Sequence, residues 1–136
     1  MAEHPELLHT VIDTTDVRAL AEFYRRLLGL SYRPGDEPPT SGPDDEDWLV
    51  LVGAGGVRRL AFQRVERLQR TTWPAHDVPM QMHLDLTVAD VDDLGRQRDR
   101  ALTLGATLLL DRSADADEPL YVLADPAGHP FCIFVA

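Results

Sequence analysis

Two histidines stand at the same place in two similar stretches of this chain, His9 in "HTVIDTTDVRAL" (9–20) and His83 in "HLDLTVADVDDL" (83–94). In the second stretch His83, Asp85 and Thr87 occupy alternate positions of what reads as a strand, so their side chains share one face. Imidazole and carboxylate groups on one face can hold a metal ion, anchor a ligand or exchange a proton. Leu84, Leu86 and Val88 fall on the other face, and the same rule separates Leu8, Thr10 and Ile12 from His9, Val11 and Asp13. The apolar sets must meet a helix, which leaves both histidines on the opposite face. A plain alternative is a pair of half-buried histidines bonded to polar neighbours. Recurrence at equivalent places favours a shared cavity face instead.

The elements that position these residues repeat as well. His, Asp, Val and Leu recur at identical offsets in the two stretches, as in a duplicated chain. Asp16 and Asp90 each stand where a strand gives way to a helical pattern, placed to cap the first turn. The first helix, about 17–28, carries a stripe of Leu20, Phe23, Tyr24, Leu27 and Leu28 and stops at Gly29. The second, about 91–104, carries a weaker stripe of Val91, Leu94, Ala101 and Leu102 and stops at Gly105. Short β-type runs follow each helix: "GLSYR", "WLVLV" and "RRLAFQRV", then "ATLLLD", "LYVLA" and "PFCIFVA". "GAGG" (53–56) and "DPAG" (125–128) are turn material joining the last two strands of each half. Each half therefore reads βαβββ. The expected fold is α+β: two such modules, about 5–66 and 81–136, joined by a linker at about 67–80, with curved mixed sheets in one domain spanning 1–136.

The chain has 136 residues, and its 23 acidic against 13 basic side chains give a formal net charge of −10. That charge repels nucleic-acid backbones and anionic lipid and attracts cationic ligands. Much of it sits in "GDEPPTSGPDDEDW" (35–48), which reads as a solvated loop. No apolar run approaches the roughly 20 residues of a membrane-spanning helix, and "MAEHPELLH" lacks the layout of a signal peptide, so a cytoplasmic protein is expected. Cys132 is the single cysteine, which excludes an internal disulfide and a multi-cysteine zinc cage. No lysine or arginine adjoins it to lower its pKa, so a small buried hydrophobe is its bland role. Asp85 reads as an inward carboxylate on a central strand: either a ligand anchor or general base, or the partner of an arginine such as Arg59 or Arg64. Trp48, Phe62, Trp73 and Tyr121 suit the core or the wall of an apolar pocket. His129, after the second turn, has turn order as its main reading and gating of a cavity mouth as its alternative.

Taken together, the paired βαβββ pattern, "DVRALAEFYRRLLGL", "HLDLTVADVDDL", the "LGA" after the second helix and "DPAGHPFCIFVA" resemble the vicinal oxygen chelate superfamily. That superfamily includes glyoxalase I, bleomycin-resistance proteins, fosfomycin-resistance enzymes and extradiol dioxygenases; the short bacterial glyoxalase-like proteins are the most similar. The resemblance implies a divalent ion on the concave sheet face, with His9, Gln63, His83 and Cys132 at the ligand positions and Gln63 and Cys132 matching one another. It also implies a homodimer. Where the pattern carries carboxylates, this chain has the amide Gln63 and the thiol Cys132, a poor set for hard ions or for non-haem iron, though zinc or a softer metal could still be held. Asp85 or Asp13 could supply a carboxylate. Two functions follow. One is binding of a small molecule in a cavity lined by His9, Gln63, His83, Asp85 and Cys132. The other is a metal-dependent lyase, isomerase or dioxygenase in which His9 and His83 ligate the ion.

Overall fold

The computed structural model describes residues 2–136. It divides into two compact units, Met1–Arg67 and Leu68–Ala136. In the first, β1 (Thr10–Thr14) leads into α1 (Val17–Leu28), followed by β2 (Ser31–Tyr32), β3 (Trp48–Val52) and β4 (Arg58–Arg64). The second repeats the order with β5 (Leu84–Val88), α2 (Val91–Leu104), β6 (Thr107–Arg112), β7 (Leu120–Ala124) and β8 (Pro130–Val135). The sheets run β1-β4-β3-β2 and β5-β8-β7-β6. First and last strands pair in parallel, and the other neighbours are antiparallel. The α+β fold of two βαβββ modules is thus present, and identical topology in both units supports the duplication.

Local chemistry sets the helix limits. Asp16 accepts from Ala19 N–H at 3.0 Å, and Gly29 closes α1 at φ 66°, in the left-handed region open to glycine. Asp90 caps α2 in the same way, accepting from Asp93 N–H at 2.8 Å. The α1 stripe buries Leu20, Phe23, Tyr24 and Leu27 against its sheet, and Tyr24 stacks on Phe62 with ring centroids 6.0 Å apart. Full burial of a side chain of this size stabilises by about 2–3 kcal/mol, so this layer is a main source of the unit's stability. On α2 only Leu94 and Ala101 are buried, while Val91 and Leu102 are exposed. That stripe is narrower than its spacing implied.

In the first unit the alternation places Ile12 and Thr14 in the buried layer, and Leu8, ahead of the strand, stays 58 % exposed rather than joining them. Leu84, Leu86 and Val88 alternate with exposed Asp85 and Thr87 as expected.

The acidic segment 35–48 is anchored at points that its composition does not reveal. Asp36 is buried, and its carboxylate accepts from Val50 N–H at 2.9 Å and pairs with Arg33 at 3.1 Å. Arg18 lies over the Tyr32 ring, pairs with Asp44 at 2.6 Å and donates to the Asp36 carbonyl at 2.7 Å. Between these ties the residues are exposed, as expected of a solvated loop.

The linker side of the second unit is anchored too, because Arg70 donates to the Pro126 carbonyl at 2.7 Å. In that turn Asp125, 1 % exposed, accepts from Ala127 N–H and His129 N–H. The His129 backbone therefore serves the turn, and the Asp125 carboxylate organises it.

Candidate functional site

Because β5 and β8 are parallel neighbours, Asp85 lies directly opposite Cys132, and Cys132 opposite Val122 on β7. His83 immediately precedes β5 and shares the face of Asp85. Its Nε2 is 3.1 Å from the Asp85 Oδ1, and one donor atom each from His83, Asp85 and Cys132 lies within 4.8 Å of the others. Among the described residues this is the one trio of histidine, cysteine and acidic side chains arranged so. Thr87, Phe134 and Leu120 form the next row on the same face, so the polar cluster adjoins an apolar strip.

β5 ends its sheet rather than lying at its centre, and the Asp85 side chain is 56 % exposed. Its carboxylate therefore keeps contact with water and needs no arginine. Its partner is His83, and Arg64 instead approaches Asp47 at 3.9 Å. Burial first, and then the negative charge of Asp85, push the Cys132 thiol up from its usual range. An unliganded Cys132 is thus a protonated, weakly nucleophilic thiol.

The first unit presents a different surface at the equivalent place. Val11 lies opposite Ala61 and Ala61 opposite Val50, while Asp13 lies opposite Gln63 and Gln63 opposite Trp48. Aligning the two ladders from their first pairs, Thr10 with Leu60 and Leu84 with Phe131, makes Cys132 the counterpart of Ala61, and Phe134 that of Gln63. The expected match of Gln63 with Cys132 is therefore out by two residues. Sequence alternation fixes the parity of a strand; cross-strand pairing fixes the register.

His9 sits ahead of β1, its ring 6.0 Å from that of Trp48. Its Nδ1 is buried and has no hydrogen-bond partner among the described residues. Burial, then the charges of Arg58 and Arg33, hold its pKa below the usual value, which keeps the ring neutral at pH 7. His9, Trp48 and Gln63 share the helix-free face of the first unit; His83, Asp85 and Cys132 share that of the second. The remaining aromatic candidates are mixed in role. Phe62 and Tyr121 are core, the latter capped by Arg98, which stacks on the ring at 4.7 Å and donates to its hydroxyl at 2.9 Å. Arg98 was not foreseen, since nothing in the spacing joins residue 98 to residue 121.

A divalent ion is the group this kind of fold implies, and the donor chemistry tests the fit. His83, Asp85 and Cys132 offer nitrogen, anionic oxygen and sulfur within one small volume, which suits a tetrahedral ion such as zinc. In the first unit the facing residues Val11, Ala61 and Val50 offer no donor, leaving His9, the neutral Gln63 and the Asp13 carboxylate opposite it, which form no trio with a second histidine, cysteine or acidic donor among the described residues.

The profile of the glyoxalase-like domain family matches residues 9–134, and the chain belongs to that family. No curated protein matches it. Among solved structures, a glyoxalase/bleomycin resistance protein/dioxygenase family enzyme from Burkholderia phytofirmans is 19% identical, with a TM-score of 0.69 over 96% of this chain and 98% of that one. Fosfomycin resistance protein FosX from Mesorhizobium loti is 14% identical, with a TM-score of 0.65 over 100% of this chain and 94% of that one. A mutant FosX from Listeria monocytogenes, complexed with Mn(II) and 1S,2S-dihydroxypropylphosphonic acid, is 13% identical, with a TM-score of 0.68 over the same shares. At these identities the likeness establishes the vicinal oxygen chelate fold. No helix among the described residues is long and apolar enough to cross a membrane.

Proposed function

We propose that residues 1–136 act as one glyoxalase-like domain that binds a small molecule on the helix-free faces of its sheets. The observation that carries this reading is the polar row His83, Asp85 and Thr87, exposed beside half-buried Cys132 and Phe134. Such a surface fits a ligand with a polar or cationic group joined to an apolar body. The net charge of −10 favours a cation. His9 and Gln63 serve as the polar groups of the first unit's face. Calorimetric titration with a panel of cationic and aromatic compounds tests the reading. Binding of at least one class in the micromolar range, lost in the Asp85→Ala, His83→Ala double variant, is expected. Uniform failure of the panel, or binding that the double variant retains, sinks it.

A second reading, a metal-dependent lyase or isomerase, is favoured by the donor trio. In it a bound ion would supply Lewis acidity, and His83, Asp85 and Cys132 would hold it. Elemental analysis of protein purified without chelators separates the two. Near one equivalent of a transition metal, lost in a His83→Ala variant, supports this reading; its absence leaves the metal-free binder. A homodimer, as the family resemblance implies, is checked by sedimentation.

A further inference from the structure

We infer that His83, Asp85 and Cys132 form a three-ligand site for a thiophilic divalent ion, zinc above all, held within the second unit alone. The inference rests on the assignment of the β5–β8 face as the functional face. It differs from the cofactor expectation in using one histidine and in leaving out His9 and Gln63, so that every protein ligand comes from β8 and from β5 with the residue just before it.

Three structural facts carry it. The donor atoms come from positions that the backbone fixes, since Asp85 and Cys132 are direct partners in a parallel ladder and His83 lies two residues before Asp85. They are also close to the required spacing. Zinc bonds of about 2.0–2.3 Å place tetrahedral ligands roughly 3.3–3.8 Å apart. The His83 Nε2 to Asp85 Oδ1 separation is 3.1 Å, and the whole trio lies within 4.8 Å, so side-chain rotation alone can close the set. Finally, the side chains of His83 and Asp85 remain 38 % and 56 % exposed, so a fourth position stays open to water or to a ligand heteroatom. Sites with three protein ligands and one open position are those that exchange small molecules.

Donor softness sets the choice of ion. A thiolate and an imidazole favour zinc or cobalt over manganese and magnesium, which prefer oxygen. The first unit supplies an internal contrast, because Val11 and Ala61 stand where the second has Asp85 and Cys132. Only one of the two repeats can make this site.

Cobalt(II) titration of the full chain, freed of metal and kept reduced, tests the inference through a spectrum rather than through activity. One equivalent should produce the tetrahedral d–d bands together with a thiolate-to-cobalt charge-transfer band, and one equivalent of zinc should abolish both. Cys132→Ser should remove the charge-transfer band. His83→Ala and Asp85→Asn should weaken affinity by at least the roughly tenfold lost when an outer-shell partner of a metal ligand is removed. Circular dichroism of each variant confirms folding, and Asp85→Asn, at an exposed position, serves if Cys132→Ser does not fold. Absence of a thiolate band in the wild type, its survival in Cys132→Ser, or displacement of cobalt by manganese as readily as by zinc overturns the site. Ligand capture by a chain that takes up no cobalt overturns the site and spares the binding reading. Cobalt uptake without capture of any compound does the reverse.

Discussion

Glu22 illustrates how a charged side chain on a helix surface can carry stability that pH reveals. Arg25 bonds it at 2.7 Å and 2.9 Å, and the Tyr32 hydroxyl donates to it at 2.6 Å. The Arg25 hydrogen bonds foremost, with Tyr32 and the charge of Arg26 adding to them against burial, lower its pKa from 4.5 to about 2. A carboxylate depressed in the folded state adds stability above its unfolded pKa and loses it as pH falls toward the folded one. The window therefore runs from pH 4.5 down to about 2. Glu22→Gln should cost on the order of 1–2 kcal/mol at neutral pH, allowing for partial solvent screening. The gap to wild type should narrow as pH falls through that window, as urea denaturation at successive pH values can follow. A gap constant with pH would refute the assignment. The same attention to single groups separates the two histidines: His9 is a half-buried ring whose pKa is held down and whose Nδ1 is shut off from water, while His83 is an exposed one paired with a carboxylate.

At the scale of elements, the loop 35–47 gains its order from ties at Asp36, Asp44 and Asp47 rather than from secondary structure of its own. Asp36 completes the edge of β3 by accepting from Val50 N–H, in a position where only 8 % of the residue is exposed. Asp36→Ala would leave that buried donor without its partner and strand Arg33, at a cost of about 1–3 kcal/mol. Equilibrium unfolding in urea measures the loss, and an unchanged midpoint would show that water replaces the carboxylate freely. Asp36→Asn, which keeps an acceptor oxygen, should cost less. In the second unit the analogous economy is seen at Asp125, whose one carboxylate oxygen organises the turn that leads β7 into β8 and so places Cys132. The parallel pairing of β5 with β8 then brings residues 85 and 132 together.

For the molecule as a whole, the excess of acidic groups sets the solution behaviour. With 23 acidic and 13 basic side chains the folded chain repels itself, and salt screens that repulsion over a Debye length of about 10 Å at 0.1 M. Raising salt from a low concentration to about 0.5 M should therefore raise the melting temperature of the metal-free protein. Differential scanning calorimetry would show it, and a fall would mean that local pairs such as Arg18–Asp44 outweigh the net charge. Under the binding proposal, affinity for a cationic ligand should decline over the same range.

The sequence by itself determined the duplicated βαβββ order, both helices to the residue, the capping aspartates and the face on which His83 and Asp85 stand. All of these rest on local terms: side-chain periodicity, N-cap chemistry and glycine stops act within a few residues of one another. Only the tertiary structure decided the register of β4 against β1 and of β8 against β5, which moved Cys132 away from Gln63 and set it opposite Asp85. It also decided that β5 ends its sheet, which keeps the Asp85 carboxylate in water, and that Arg18, Arg70 and Arg98 are spent as ties. Such contacts join residues that lie tens of positions apart. Their free energy depends on which strands pair, and alternation along one strand carries no record of its neighbour.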